Sequence, residues 1–119
     1  MSNPNIVNVT AIYGQVSGTA LTTSNANIIV NTAASDKVYK VNAIYVSNVD
    51  GANAALLTVG LYDSSANVRA RLGSTISVPA DSTLDFLSKS IYLNEGDFIF
   101  ANASANSSLE IVASWEEIN

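Results

Sequence analysis

The chain contains no cysteine and no histidine, and charged residues are scarce among its 119 positions. Without cysteine, the chain has no disulfide, no thiolate nucleophile and no thiolate-ligated zinc site. Without histidine, catalytic triads built on an imidazole and His-ligated metal sites are excluded as well. We therefore expect no metal and no cofactor, and we do not expect an enzyme.

Positively charged residues are also few. Five basic and ten acidic residues give a formal net charge of −5. Binding to nucleic acid requires several phosphates to be neutralised, and an anionic membrane surface likewise attracts clustered lysines and arginines. Apolar runs are too short for a membrane-spanning helix, and no signal peptide is visible at the start. We therefore expect neither nucleic acid nor a membrane as partner.

Small side chains fill much of the sequence instead. Alanine (16), serine (16), asparagine (14) and threonine (8) together make up close to half of the chain. Small side chains allow subunits to approach closely, and charged residues are generally depleted at the centre of protein interfaces. This composition favours a protein that assembles with other chains.

Short segments rich in Val, Ile, Thr and Tyr alternate between apolar and polar residues, and Gly, Asn, Asp and Ser separate them. No window sustains the i, i+3, i+4, i+7 spacing of an amphipathic helix. The pattern yields eight or nine short strands with no linker between them. It predicts an all-β fold, an antiparallel β-sandwich that forms a single domain over residues 1–119.

Strict alternation also predicts which side chains enter the core. In the strongest strand, residues 38–47, every second residue from Tyr39 to Tyr45 falls on one face. We therefore expect both tyrosines to be buried. Nearer the N-terminus, Gly14 predicts a bend before a second strand that begins at Val16.

The remaining candidates for chemistry are acidic residues in turns. Glycoside hydrolysis needs two carboxylates at a defined separation across a sugar. Glu95 and Asp97 flank Gly96 in an evident hairpin turn, where acidic residues favour the turn itself. Residues 50–53 offer oxygen ligands suited to calcium, but a turn closed by the Asp50 side chain explains them better. We interpret both segments as structural.

The C-terminal half resembles small virion structural proteins of tailed bacteriophages, especially those of marine and cyanobacterial phages. The residues that carry the resemblance are 78–86 (VPADSTLDF), 91–99 (IYLNEGDFI) and 101–117 (ANASANSSLEIVASWEE). Proteins of that group often have an apolar strand, a Leu-x-x-Gly-Asp-x-Ile hairpin, a loop of Ala, Ser and Asn, and a final strand ending near Glu-Glu. The likeness extends over about residues 38–117.

This resemblance implies a jelly-roll-like β-sandwich that acts as a capsid decoration (cement) protein. Such a protein binds the major capsid protein on the capsid exterior of the virion and stabilises the shell without covalent bonds. Proteins of this kind often form trimers, so we expect a homotrimer, and the resemblance implies no catalytic residue. The alternative is a carbohydrate- or receptor-binding module of a phage tail or fibre.

Two regions are candidates for contact with the capsid or with another subunit. Residues 1–10 lie outside the resemblance, and we expect them to form an N-terminal arm that adds a strand to a neighbour's sheet edge. Tyr62 falls opposite the apolar residues of its strand, so we expect it to face a partner. The candidate contact residues are Ile6, Val7, Val9 and Tyr62.

Overall fold

In a computed structural model, the described residues are Val9 and residues 11–119, and they form nine β-strands. No helix that could cross a membrane occurs among them. In chain order the strands are β1 (Ile12–Ala20), β2 (Ala26–Val30), β3 (Val38–Asn48), β4 (Ala55–Asp63), β5 (Val68–Val78), β6 (Thr83–Asp85), β7 (Ile91–Leu93), β8 (Phe98–Ala103) and β9 (Leu109–Ile118).

The strands form two antiparallel sheets that pack face to face. Sheet 1 has the order β1–β9–β3–β6, and β7 pairs with β3 as well. Sheet 2 has the order β2–β8–β4–β5. The chain passes from one sheet to the other at most of its connections. The resulting strand order in the two sheets is like that of a jelly roll. The predicted all-β antiparallel sandwich is therefore confirmed, with nine strands.

Alternate residues of the central strands fill the space between the sheets. Burying one large aliphatic side chain contributes about 1.5–3 kcal/mol, so these layers supply most of the stability. Sheet 1 contributes the fully buried side chains of Val41, Ile44, Val46, Leu109 and Ile111, and sheet 2 contributes those of Leu57, Val59 and Ile99.

A β-bulge in β3 reverses the predicted alternation halfway along the strand. The register between β3 and β9 shifts between Val41 and Ala43, so Asn42 is an extra residue without a partner on β9. Tyr39 is 8% exposed in the core, but Tyr45, beyond the bulge, is 44% exposed on the outer side. The prediction that Tyr45 is buried was wrong, because one inserted residue moves every later side chain to the other face.

The predicted bend at Gly14 was also wrong. β1 runs without interruption from Ile12 to Ala20 and keeps a constant register with β9. Gly14 stands directly opposite Glu116 in this ladder. The hydrogen bonds that its neighbours on either side make to β9 hold the glycine in the extended conformation that its own flexibility would not impose.

Two buried carboxylates fasten the loops at one end of the sandwich. Asp97 accepts a hydrogen bond from the Ser64 N–H through Oδ1 and another from the Asn94 N–H through Oδ2, both at 2.9 Å. Glu95 Oε2 accepts one from the Asp36 N–H at 3.0 Å. These bonds offset the cost of burying the carboxylates. The contacts assign both residues to turn structure, as their sequence context predicts.

We expect Asp97→Asn to lower the free energy of unfolding by about 1–3 kcal/mol, because an amide nitrogen replaces one of the two accepting oxygens and leaves a buried N–H unpaired. Urea unfolding followed by Trp115 fluorescence measures the change. The exposed Asp85 supplies the control, since Asp85→Asn should alter stability by less than about 0.5 kcal/mol. Equal effects of the two substitutions would contradict this role of Asp97.

Candidate functional site

Two long edge strands have a strand on one side only among the described residues. In that part of the chain, β1 (nine residues) pairs only with β9, and β5 (eleven residues) pairs only with β4. The other edges are short, because β2 has five residues and β6 and β7 have three each. Edge strands are usually protected by brevity, charge or proline, and β1 has neither charge nor proline. Within the described residues, β1 is therefore open to pairing with another chain. β5 carries Arg69 and Arg71 and is bulged against β4, but it too has no strand on its other side there.

The solvent-facing side of sheet 1 is apolar over several strands. We call this side the outer face of sheet 1, and its large apolar side chains are between 42% and 69% exposed. Tyr45 stands directly opposite Val112 across two strands, so these side chains are neighbours. Exposed apolar patches of this kind mark interaction sites. The side chains in question are Val16, Tyr45, Tyr92 and Val112.

Tyr62 belongs to an aromatic cluster on the outer side of sheet 2. Its ring stacks on Phe98 with the centroids 4.9 Å apart, and Phe98 meets Phe100 edge-on at 6.4 Å. The Arg69 guanidinium lies over all three rings, 5.4–5.5 Å from each centroid. The Tyr62 hydroxyl donates a hydrogen bond to Asn67 at 2.9 Å. Tyr62 is thus half-buried, and only part of its surface can meet a partner.

The other predicted contact residues lie at the start of the chain. Ile6 and Val7 fall outside the described residues, while Val9 is described and half-buried. Val9 leads into β1 of sheet 1, whereas Tyr62 lies on β4 of sheet 2. The sequence predicted two separate contact regions, and in the structure Val9 precedes the first strand while Tyr62 lies within β4.

An apolar groove of about 440 Å³ opens where β5 of sheet 2 faces β6 and β7 of sheet 1. Sequence alternation places several of its residues at apolar positions of the strands. It could not show that the two sheet edges stand far enough apart to leave a groove, because that depends on how the sheets pack. The apolar lining consists of Leu72, Ile76, Leu84, Phe86, Leu87 and Ile91.

The segment considered for calcium forms a turn closed by its own aspartate. Asp50 Oδ1 accepts hydrogen bonds from the N–H groups of Ala52 at 2.9 Å and Asn53 at 3.3 Å. The bond from Ala52, followed by that from Asn53, lowers the pKa of the Asp50 carboxyl. Within the described residues, no three His, Cys, Asp or Glu side chains cluster so as to hold a metal ion. The prediction of an aspartate-closed turn is confirmed.

We expect Gly60→Ala to lower the free energy of unfolding by about 1–3 kcal/mol, because the added methyl group would overlap the Phe100 ring and force the cluster apart. Gly14→Ala is the matched control, since nothing lies within 4 Å of its missing Cβ. That change should be stabilising by up to about 1 kcal/mol, as expected for alanine replacing glycine in a strand. Similar losses for both variants in thermal unfolding would contradict this placement of Phe100.

No protein-family model matches the chain, and no curated protein matches it. Among solved structures, the chain is similar to a Bacillus endospore appendage, described as one of a family of disulfide-linked pili. The match covers 98% of this chain and 95% of that chain, with a TM-score of 0.52 and 14% sequence identity. At this level of identity the likeness shows a shared fold alone.

Proposed function

We propose that this chain is a structural protein of a phage virion, a capsid decoration protein that binds the major capsid protein on the outside of the shell. The resemblance of residues 38–117 to small phage virion proteins supports this role. The structural observation that supports it best is the outer face of sheet 1, where large apolar side chains are exposed to water. Exposed apolar surface is unfavourable in a monomer and is typical of an interaction site.

The outer face of sheet 1 has the chemistry of a non-covalent contact. Tyr45 and Tyr92 offer aromatic surface, and tyrosine is enriched among the residues that dominate binding energy. Lys40 and Glu116 stand opposite one another on this face, so their charges offset each other locally. Covering the apolar area contributes about 25 cal/mol per Å², and few charges have to be desolvated. Such binding would stabilise a shell without any cysteine in the chain.

A second candidate function is a subunit of a filament, and the likeness to a pilus structure favours it. The compared pili are described as disulfide-linked, whereas this chain has no cysteine. A filament of this chain would therefore rest on non-covalent contacts, for which the open edges of β1 and β5 are suited. Filaments of the purified protein in negative-stain electron microscopy, without capsid binding, would favour this function over decoration.

We expect Val112→Asp to weaken binding to capsids at least tenfold, because a carboxylate on the outer face of sheet 1 would lose its hydration in the contact. Co-sedimentation with capsids that lack the protein measures the affinity. Leu56→Asp is the matched control, since Leu56 on sheet 2 is 40% exposed and Val112 is 42% exposed.

Leu56→Asp should bind as the unchanged protein does. Equal binding by the two variants would exclude the outer face of sheet 1 as the contact. An unchanged protein that does not bind capsids at all would overturn the decoration role. In that case, binding to a glycan array that is lost in Tyr62→Ala would favour the carbohydrate-binding alternative.

A further inference from the structure

We propose that β1 of one molecule pairs antiparallel with β5 of a second copy, so that sheet 1 of the first continues into sheet 2 of the second. The inference rests on the proposed function as an assembly protein, and it names a partner for the two long edges. The occupant of each edge is another copy of this chain, and the pairing has a defined register.

The free backbone groups of β1 belong to its even-numbered residues. Ala11 and Asn119 each donate an N–H to the other's carbonyl oxygen, at 3.1 and 3.0 Å. In an antiparallel ladder, hydrogen-bonded pairs alternate with non-hydrogen-bonded pairs. Odd-numbered residues of β1 therefore bond to β9, while even-numbered ones such as Gly14 and Val16 direct N–H and C=O away from the sheet.

The free backbone groups of β5 include those of its two arginines. The Ser104 N–H donates to the Leu56 carbonyl at 2.9 Å, so even-numbered residues of β4 bond to β8 and odd-numbered ones bond to β5. Ala70 stands opposite an odd-numbered residue of β4 and is bonded to it. Arg69 and Arg71, on either side, direct their N–H and C=O groups outward.

Charge determines which edges can meet. β5 carries Arg69 and Arg71, and neither forms an ion pair within the described part of the chain. β1 has no charge but lies beside Glu110 and Glu116 of β9. Glu116 also stands opposite Lys40 and accepts a hydrogen bond from the Asn42 side chain at 2.9 Å, without forming an ion pair with Lys40 in the described part of the chain. Pairing β5 with β5 would set arginines of two copies against each other, which is destabilising. Pairing β1 with β1 would leave the glutamates about 14 Å apart, three strand spacings, and would bring no opposite charges together. Pairing β1 with β5 brings opposite charges together.

The register that satisfies these groups sets Gly14 opposite Arg71 of the second copy. Because nothing lies within 4 Å of the missing Cβ of Gly14, the Arg71 side chain has room to cross β1. Beyond Gly14, directly opposite it on β9, stands Glu116. Two strand spacings put the backbones of Arg71 and Glu116 about 10 Å apart, a distance that the two long side chains together span.

The other face of the new pair also fits in this register. Gln15 of one copy stands beside Ala70 of the second, and both residues are exposed in the single chain. The regular register ends at Arg71, because Leu72 is an extra residue of β5 without a partner on β4. Because the two paired surfaces differ, the contact is head-to-tail, and it closes into a ring or extends as a filament according to the rotation between copies. A ring of three would be the expected homotrimer.

Charge reversal tests the contact in solution. We expect Arg71→Glu and Glu116→Arg each to weaken self-association at least tenfold in sedimentation equilibrium at low salt. Lys89→Glu is the control for Arg71→Glu, because it makes the same change of charge at an exposed position outside both strands. It should leave self-association unchanged.

An equimolar mixture of Arg71→Glu and Glu116→Arg should associate again, since each variant presents the charge that the other's edge requires. An unchanged protein that stays monomeric up to about millimolar concentration, or a mixture that does not recover, overturns the proposal. Capsids are absent from this measurement. Its failure therefore leaves the decoration role standing, and failure to bind capsids leaves the edge pairing standing.

The register is tested by disulfide formation, for which a chain without cysteine is well suited. Gln15→Cys and Ala70→Cys are prepared separately, distinguished by isotope labelling, mixed and oxidised. Non-hydrogen-bonded antiparallel pairs have Cα atoms about 4.5 Å apart, within the range of a disulfide. We expect mixed disulfide dimers, with at least tenfold fewer when Val68→Cys replaces Ala70→Cys. No mixed dimers, or equal yields from both mixtures, would overturn the register.

Discussion

The structure depends on one constraint of open sheets: every edge strand carries a row of N–H and C=O groups that the sheet itself cannot pair. A sandwich of two such sheets has four edges. This chain keeps two of them short, with β2 on sheet 2 and β6 and β7 on sheet 1. The other two, β1 and β5, are long and have no further strand beside them among the described residues, and they are the strands on which the proposed pairing between copies rests.

Two kinds of surface follow from this arrangement, and they suit different partners. The outer face of sheet 1 carries exposed apolar side chains on several strands, and in the proposed function it is the surface that meets the capsid shell. The edges of β1 and β5 offer backbone groups with directional geometry, and they fit another strand. A protein that binds a shell and also binds its own copies would hold neighbouring capsomers together through both.

Much of the fold could be predicted from sequence, because the core obeys alternation that is visible in the residues. Leu57 and Val59, and likewise Leu109 and Ile111, are buried as their period of two indicates. The bulge at Asn42 could not be predicted, since nothing in the residues around it differs from a regular strand. The exposure of Tyr45 was therefore missed.

The candidate site was less visible in the sequence, for a related reason. Alternation predicted correctly that Tyr62 faces away from the core, but its contacts with Phe98 and Arg69 come from neighbouring strands. The position of β1 at the edge of its sheet could not be predicted from the sequence either, because it depends on the order of the strands in the sheet. The sequence predicted only a bend at Gly14. The role proposed for it, leaving room for a side chain to reach Glu116, could be inferred only once the structure placed Glu116 opposite it.

The most direct measurement of the central claim is amide hydrogen exchange, resolved by residue with NMR, in dilute and in concentrated protein. In the dilute protein, the amides of Gly14, Val16, Arg69 and Arg71 should exchange rapidly. At concentrations where copies associate, the account predicts that these amides become protected, while those of β2 and β6 do not change. Protection at β2 and β6 instead, or association without any protection in β1 and β5, would contradict it.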